Sequence, residues 1–564
     1  MTEAPPEASP LVAALRAAAI SCGAPEDFVP ELARPGDESH GDLASNAALV
    51  LAARLGRPPR ALAEDIAHAL DVRKAAVQSV EVAGPGFLNF RLADSVLWRG
   101  LRGLLEEAAR WGCSEAATPL RFNVEFVSAN PTGPLHVAHG RGAVIGDVVA
   151  SLLKWTGHEV TREFYVNDAG RQIRLLAESV EARYRQEKGE AADVPDGGYQ
   201  GEYVRDLAAR LVHEIGPPVV EGMAADRRIA EFERRAPELL RREQEADLRD
   251  FGVSMDVFRE ESELVGAGEV DDLLRVLDDT GRVYESEGAI WLRTSEHGDE
   301  KDRVLVKSDG ESTYFLTDIA YHRDKARRGF ERAIDVWGAD HHGHVPRMQA
   351  ALRALGLPQD FLEVLMIQLV TVLRDGTEVR MSKREGRFIT LRELFAETGR
   401  DVARYFFLMR RAEVPLNFDL GLALDTSEAN PVYKIKYAHA RMCSVFERGG
   451  IDQESVRPTE DELARLAQPA ERAVAKAVLR FPSVVASAAE ARAPYQVCQY
   501  LEDTAGLVNA WYHQGNLDPS LRLLAEGPAR PGRLALARAV QVTLSRGLSL
   551  LGLEAPARMI RDDE

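Results

Sequence analysis

The stretch VEFVSANPTGPLHVAHGRG, Val124 to Gly142, decides how the rest of the chain is read. A run of β-formers breaks into a bend held by Pro131, Gly133 and Pro134. Two histidines, His136 and His139, then stand at the start of a helical pattern. Strand, bend and helix in that order open a βαβ unit. In open parallel sheets ligands collect at the carboxyl ends of strands, where a helix N-terminus favours anions. Gly140 and Gly142 are expected to leave backbone N–H groups open to close approach. Taken alone, H-x-x-H fits three roles: donors to a phosphate on which charge develops, two ligands of a metal, or histidines with structural work only. The metal role lacks a third and fourth ligand nearby in sequence.

Working outward, the helix is expected from about Gly140 to Trp155, with Gly157 as its stop and EVTREFYV as the next strand. RAIDVWGADHHGH and FLEVLMIQLVTVL repeat the arrangement of a strand followed by a functional loop. The whole predicts an α/β chain: a Rossmann-type parallel-sheet catalytic domain over 115–425, with charged helical insertions at about 170–300. A small N-terminal α/β domain is expected over 1–95, where LVAALRAAAI and ALAEDIAHAL alternate with the strand VEVAGPGFLNFRL, and a helix around SVLWRGLRGLLEEAARWG leads onward. Strand signals fade after about 425. Four amphipathic helix candidates separated by Pro/Gly breaks predict an all-helical domain over 426–564.

The 564 residues exceed one core and fit about three or four domains. With 45% hydrophobic and 28% charged residues, the composition is that of a globular protein. The acidic, proline-rich start MTEAPPEASP does not read as a secretory signal, and no apolar run approaches the roughly 18 residues that span a bilayer. Four scattered cysteines form no C-x-x-C pair, so a cytoplasmic setting is expected. A formal charge of −19 disfavours general polyanion affinity but leaves room for a local basic surface.

A second constellation follows the late apolar strand: DGTEVRMSKREGRF, Asp375 to Phe388. Arg374, Arg380, Lys383, Arg384 and Arg387 crowd a loop with Gly376 and Gly386. Such a run is either a solvated basic loop or a cationic loop that closes on a polyphosphate. His341, His342 and His344 in GADHHGH cluster tightly, but neighbouring histidines do not all face one ion without further ligands, and no cysteine is near, so no protein-bound zinc is expected.

Together, HVAH after an early strand and RMSKR after a late one resemble the paired HIGH and KMSKS signatures of class I aminoacyl-tRNA synthetases. The wider context is similar to the arginyl-tRNA synthetase family. SANPTGPLHVAHGRG, KSDGESTYFLTDIAYHRDK, GADHHGH, MSKREGRF and YAHAR follow that family's order and spacing, and HGDLASN and VAGPGFLNF extend the match to the N-terminus. Two departures stand out. Ala138 occupies the third place of the first signature, where glycine is common, and Arg380 replaces the first lysine of the second.

The resemblance implies a ligase that activates L-arginine with ATP and transfers it to the terminal adenosine of tRNA(Arg), with tRNA needed for the first step. His136, His139 and Lys383 would act on the phosphate. Gly140, Gly338, Asp340, Met381 and Ser382 would join them in holding ATP, with Mg²⁺ on the phosphates. Ser128, Asn130, His139, Tyr314, Asp318 and His341 would form the arginine site, with Glu125 a further candidate. A guanidinium demands carboxylates, which suits Asp318, although a helix N-cap is its plain alternative. Tyr437, His439, Arg441 and Trp511 would meet tRNA, where aromatics and arginine suit stacking on splayed bases. Lys434 and Lys436 are expected nearby as phosphate contacts. A monomer with no membrane partner is expected. The rivals are a nucleotidyl transferase that uses no tRNA and a catalytically silent RNA-binding paralogue.

Overall fold

The computed structural model describes residues 9–35, 40–379 and 389–559. The first unit is an antiparallel sheet of β1 (Leu43–Ser45), β2 (Val77–Ala83) and β3 (Phe87–Leu92), ordered β1-β3-β2, with helices Ser9–Ser21, Ala47–Leu55 and Pro59–Ala69. Alternation along β3 buries Leu88, Phe90 and Leu92, which pack with Leu15, Leu51 and Ile66 of the helices in a core of their own. The helix Asp94–Glu106 bridges two cores: Val96 belongs to this one, and Leu97, Leu101 and Leu104 to the next.

The catalytic unit is built on five parallel strands. Three come first: β4 (Arg121–Glu125), β5 (Glu159–Val166) and β6 (Val257–Glu260). An antiparallel meander, β7 (Val283–Ser286), β8 (Ala289–Leu292) and β9 (Arg303–Val306), then intervenes before β10 (Arg332–Gly338) and β11 (Leu362–Ile367). The sheet order is β11-β10-β4-β5-β6. From β4 the chain moves one way to β5 and β6; it re-enters at β10 on the other side of β4 and moves the opposite way to β11. That reversal opens a crevice at the carboxyl ends of β4 and β10, where ligands of such sheets bind.

Two expectations are corrected here. The stretch at about 170–300 carries the long helices Arg171–Glu187 and Ala225–Asp250, but it also supplies the edge strand β6 and most of the meander. These strands have four residues each, too few for a period-2 signal to emerge from charged surroundings. FLEVLMIQLVTVL, in turn, is two strands. The chain leaves the main sheet after Ile367, and β12 (Val370–Arg374) joins a second sheet with β13 (Thr377–Glu378) and β14 (Leu416–Asp419). Buried Arg141 clamps this crossing by donating to the carbonyls of Gln368 (2.9 Å), Arg411 (2.8 Å) and Val414 (2.9 Å).

The helix Val137–Trp155 begins three residues earlier than expected and is buried on nearly every side. Gly146 makes that possible: a Cβ there would lie 2.2 Å from Phe126 Cγ, so only glycine lets the helix rest on that ring.

The C-terminal domain is all-helical, led by Pro431–Gly449, Pro469–Leu479, Tyr495–Leu517 and Arg530–Leu550. Phe481–Glu490 is an additional helix that the sequence pattern hid, because FPSVVASAAE is short and nearly uncharged. This domain shares one continuous core with the catalytic sheet. Buried Arg404 locks the two together, with Nη2 donating to Asp147 Oδ2 (2.7 Å) and to the Leu551 carbonyl (3.0 Å), and Nη1 to the carbonyls of Phe251 and Gly252. Arg404→Met orphans those acceptors and is expected to cost about 3–5 kcal/mol. A thermal unfolding scan should show a clearly lower midpoint; a midpoint equal to the parent's would contradict this role.

Candidate active site

At the crevice, β4 ends at Glu125 and the chain turns sharply. Val127 and Ser128 have φ of 70° and 39°, left-handed values that side chains rarely adopt, so the bend is held by its surroundings. Tyr203 Oη donates to the Thr132 carbonyl (2.8 Å), and buried Gln244 Nε2 donates to the carbonyls of Gly133 (2.8 Å) and Asn130 (3.1 Å). Sequence reasoning missed both braces, which come from helices about 70 and 110 residues downstream.

His136 is the N-cap of the following helix, and His139 stands at its third position. The His136 N–H donates to His139 Nδ1 at 3.3 Å, and the rings stack with centroids 3.7 Å apart. Because Nδ1 accepts, the proton of a neutral His139 ring sits on Nε2. Ala138, between them, is exposed at the helix mouth, so its methyl group does not disturb the packing. Gly140 is corrected. Its N–H donates to the His136 carbonyl at 3.2 Å within the helix, and a Cβ there would lie 2.6 Å from Leu391 and 3.1 Å from Phe407. Its glycine serves close packing, because this residue lies on the helix's inner side. Gly142 is likewise buried against Ile367.

The residues Arg380, Met381, Ser382, Lys383, Arg384 and Arg387 lie outside the described residues. The described chain downstream of them returns to the helix mouth. Thr390 bridges His136 in an antiparallel pairing, and the Leu391 N–H donates to the Leu135 carbonyl at 2.8 Å. Thr390 also caps the helix Leu391–Thr398 reciprocally with Glu393. Arg374, counted among the loop's cations, is bound by both carboxylate oxygens of Glu397.

Across the crevice, Tyr314 opens the helix Tyr314–Arg327 and is 70% exposed, with Asp318 one turn on. Thr313 holds the N-cap position, so Asp318 is not the cap. Asp318 Oδ2 lies 3.2 Å from His344 Nε2. The resemblance implies His341 for the arginine site. The turn Ala339–His344 places residues three apart on one side, so both rings lie against Trp337, at 6.2 and 5.6 Å, but His344 is the one that reaches Asp318. Gly338 and Asp340 are exposed at the carboxyl end of β10. Ser128 Oγ donates to Glu125 Oε1 (2.8 Å) and accepts the Tyr165 N–H (3.1 Å), and Asn130 donates to Gln172 Oε1 (2.6 Å). Among the described residues no three His, Cys, Asp or Glu side chains converge as metal ligands.

Tyr165 and Glu261 were missed. Tyr165 Oη donates to Glu261 Oε2 at 2.7 Å. Burial raises the Glu261 carboxyl above its ordinary value, with Asp318 and Asp168 adding repulsion, and burial together with Glu261, Asp318 and Glu125 raises the Tyr165 phenol. Glu261 and Asp318 thus feel one another as like charges, each with one polar partner, Tyr165 for Glu261 and His344 for Asp318. Glu261 was hidden within FREESE, which reads as a solvated charge run.

Beneath this pocket lies a buried ion network. Lys325, fully buried, donates to Glu125 Oε2 (2.6 Å) and Asp335 Oδ1 (2.8 Å). His322 contacts Asp335 Oδ2 through Nε2 and the Asp318 main-chain carbonyl through Nδ1, each at 2.8 Å. Although burial opposes it, Lys325 and His322 hold the Asp335 carboxyl down at about 2, and Asp335 raises His322 against the same penalty. Burial raises Glu125 despite Lys325.

Family models match all three units: "Arginyl tRNA synthetase N terminal domain" over residues 9–92, "tRNA synthetases class I (R), catalytic domain" over 114–408, and "DALR anticodon binding domain" over 435–559. Arginine–tRNA ligase 1 of Halalkalibacterium halodurans is 42% identical over 555 residues, 97% of this chain and 98% of that one. The Bacillus subtilis arginine–tRNA ligase is 42% identical over 550 residues, with the same shares covered. The chain belongs to the arginyl-tRNA synthetase family. The solved arginyl-tRNA synthetase of Thermus thermophilus is 26% identical, with a TM-score of 0.75 over 97% of this chain and 99% of that one. The Rossmann-type fold with its two flanking domains is the one the sequence predicts.

Within the region matched by the anticodon-binding model, two expected contacts are core residues. Trp511 is 2% exposed, in helical register with Leu501, Ala505 and Val508. His439 is 5% exposed, in register with Ile435 and Met442; its Nδ1 lies 2.9 Å from the Pro556 carbonyl, and burial lowers its pKa. Arg441 lies between the rings of Tyr437 (4.4 Å) and Tyr512 (4.6 Å), and Tyr437 stacks on Tyr433 at 5.8 Å. Lys436 pairs with Asp401 of the catalytic unit and Lys434 lies 3.8 Å from Glu502, so these lysines are engaged with carboxylates.

The network makes stability pH-dependent. His322, raised in the fold, contributes fully below its unfolded pKa of about 6.5 and loses that contribution as pH climbs through the folded value; Asp335, depressed, contributes above about 3.9 and loses it toward pH 2. Both contributions are complete between about pH 4 and 6.5. Urea midpoints measured from pH 6 to pH 9 should fall more for the parent than for His322→Gln. Parallel declines would refute it.

Proposed function

We infer that the chain carries out its family's reaction, activation of L-arginine with ATP and transfer to tRNA(Arg), with the division of labour that follows. The arginine carboxylate attacks the α-phosphate of ATP, giving arginyl-adenylate and pyrophosphate, and the 2′-hydroxyl of the terminal adenosine then takes the arginyl group. His136, His139 and Lys383 stabilise charge on the phosphate as it becomes five-coordinate. Met381 and Ser382 accompany Lys383, and Gly338 and Asp340 receive the ribose. ATP enters as its magnesium complex, with the triphosphate carrying the ion. The oxygen-rich chemistry of Mg²⁺ fits phosphate better than the imidazoles at the helix mouth.

Arginine's guanidinium lies between Asp318 and Glu261, with Tyr314 over it, while Ser128, Asn130 and His341 face its amino-acid end. Glu125, already bound by Lys325 and Ser128, supports Ser128 from below. The observation that supports this reading is the pairing of Thr390 with His136, by which the described chain following the basic segment returns to the two-histidine helix mouth. The protein acts as a cytoplasmic monomer. The C-terminal helices meet tRNA through the Tyr437–Arg441–Tyr512 stack, not through Trp511 or His439.

His136→Ala should lose pyrophosphate exchange by about 10²–10³-fold, the scale of one lost transition-state donor, while unfolding at the parent's temperature. Near-normal exchange by the folded variant would overturn the assignment. Tyr437→Ala should weaken tRNA(Arg) binding by about 1–3 kcal/mol if a base stacks there. The salt dependence should stay nearly unchanged, because no phosphate contact is lost. Unchanged affinity would remove the stack from the tRNA surface.

A further inference from the structure

The network beneath the pocket contains a group whose protonation is fixed by geometry. His322 Nδ1 faces the Asp318 main-chain carbonyl at 2.8 Å, and a carbonyl oxygen only accepts. His322 Nε2 faces Asp335 Oδ2 at 2.8 Å, and Lys325 Nζ binds the other Asp335 oxygen at 2.8 Å, which keeps that carboxylate ionised. Both ring nitrogens therefore donate, and His322 is an imidazolium. Two cations, Lys325 and His322, balance two anions, Asp335 and Glu125, in a site closed to water.

Followed atom by atom, the contacts form one relay from the Asp318 carbonyl through His322, Asp335, Lys325 and Glu125 to Ser128 Oγ. Its ends are the two walls of the amino-acid pocket: Asp318 on the helix Tyr314–Arg327, and Ser128 on the strained bend after β4. Tyr321 and Arg328 also fasten this end of the chain to Glu163 on β5, but those contacts do not run through Asp318 or Ser128. Ser128, at φ 39°, needs an external hold, and its hydroxyl receives one from Glu125.

We propose that His322 is a positioning residue for arginine: as an imidazolium it couples Asp318 to Ser128 through Asp335, Lys325 and Glu125, so that both walls keep the spacing of the bound amino acid. This rests on the reading that Asp318 and Ser128 line the arginine site. His322 does not touch the substrate, and its removal acts on arginine while leaving ATP alone.

The test is ATP–pyrophosphate exchange with the full-length chain, with tRNA(Arg) present, in the parent, Asp318→Ala, His322→Gln and the double variant. Glutamine retains a donor toward Asp335 and loses the one toward the Asp318 carbonyl. His322→Gln should raise the KM for arginine about tenfold, with the KM for ATP and kcat within about twofold, the coupling expected of one hydrogen-bonded network. In the Asp318→Ala background the same change should raise the arginine KM by less than about threefold, because the wall it positions has lost its carboxylate. Arginine and ATP constants that rise together, or effects that simply multiply in the double variant, would overturn the relay alone. An unchanged arginine KM in Asp318→Ala would overturn the pocket reading and the relay with it. Should His322→Gln fail to fold, His322→Asn, which retains the donor toward the carbonyl and loses Asp335, provides the same comparison and the same overturning results.

Discussion

Lys325 holds the site together. Its ammonium is fully buried and binds one carboxylate from β4 and another from β10, the two strands between which the sheet reverses direction. Burying that charge is costly, and a buried ion pair of this kind adds little net stability compared with packed apolar groups. What it supplies is geometry. The helix Tyr314–Arg327 is fastened to both strands at the crevice, and it carries Asp318 and Tyr314 to the crevice's edge. Glu163 on β5 adds a further fastening through Arg328 and Tyr321.

Two further junctions depend on different buried cations. Arg141 clamps the crossing from the main sheet to β12, and burial lowers its guanidinium to about 10, a sign of how dry that junction is. Arg404 joins the catalytic unit to the C-terminal helices through carbonyls and Asp147. Three buried cations thus fix three junctions: pocket to sheet, sheet to second sheet, and catalytic unit to helical domain. The last junction makes the helical domain continuous with the catalytic core.

How much of this was legible in the sequence follows from the range of each signal. The strand, bend and helix around Val124–Gly142 were readable because proline and glycine mark a turn locally, and the paired signatures supplied the family. Position within a helix was readable too: the apolar register Ile435–His439–Met442 points His439 inward, a signal passed over in favour of the residue's chemistry. Gly140 misled because a glycine near a phosphate site and a glycine under Leu391 look alike until the partner helix is placed. Asp335 and Lys325 are ten residues apart and carried no recognisable spacing, and Glu125 lies 200 residues from Lys325. Only the parallel pairing of β4 with β10 brings them together. Glu261 and the four-residue β6 before it were concealed by length and by charge.

In the proposed reading the pocket selects its amino acid by charge, with Asp318, positioned by the network below, and Glu261, held by Tyr165, around the guanidinium. Calorimetric binding of arginine and of citrulline, its neutral near-isostere, to the parent protein tests it most directly. The account predicts that citrulline binds weaker by at least about 2 kcal/mol, the order of a charged group left without its partner. Comparable affinities for the two would contradict it.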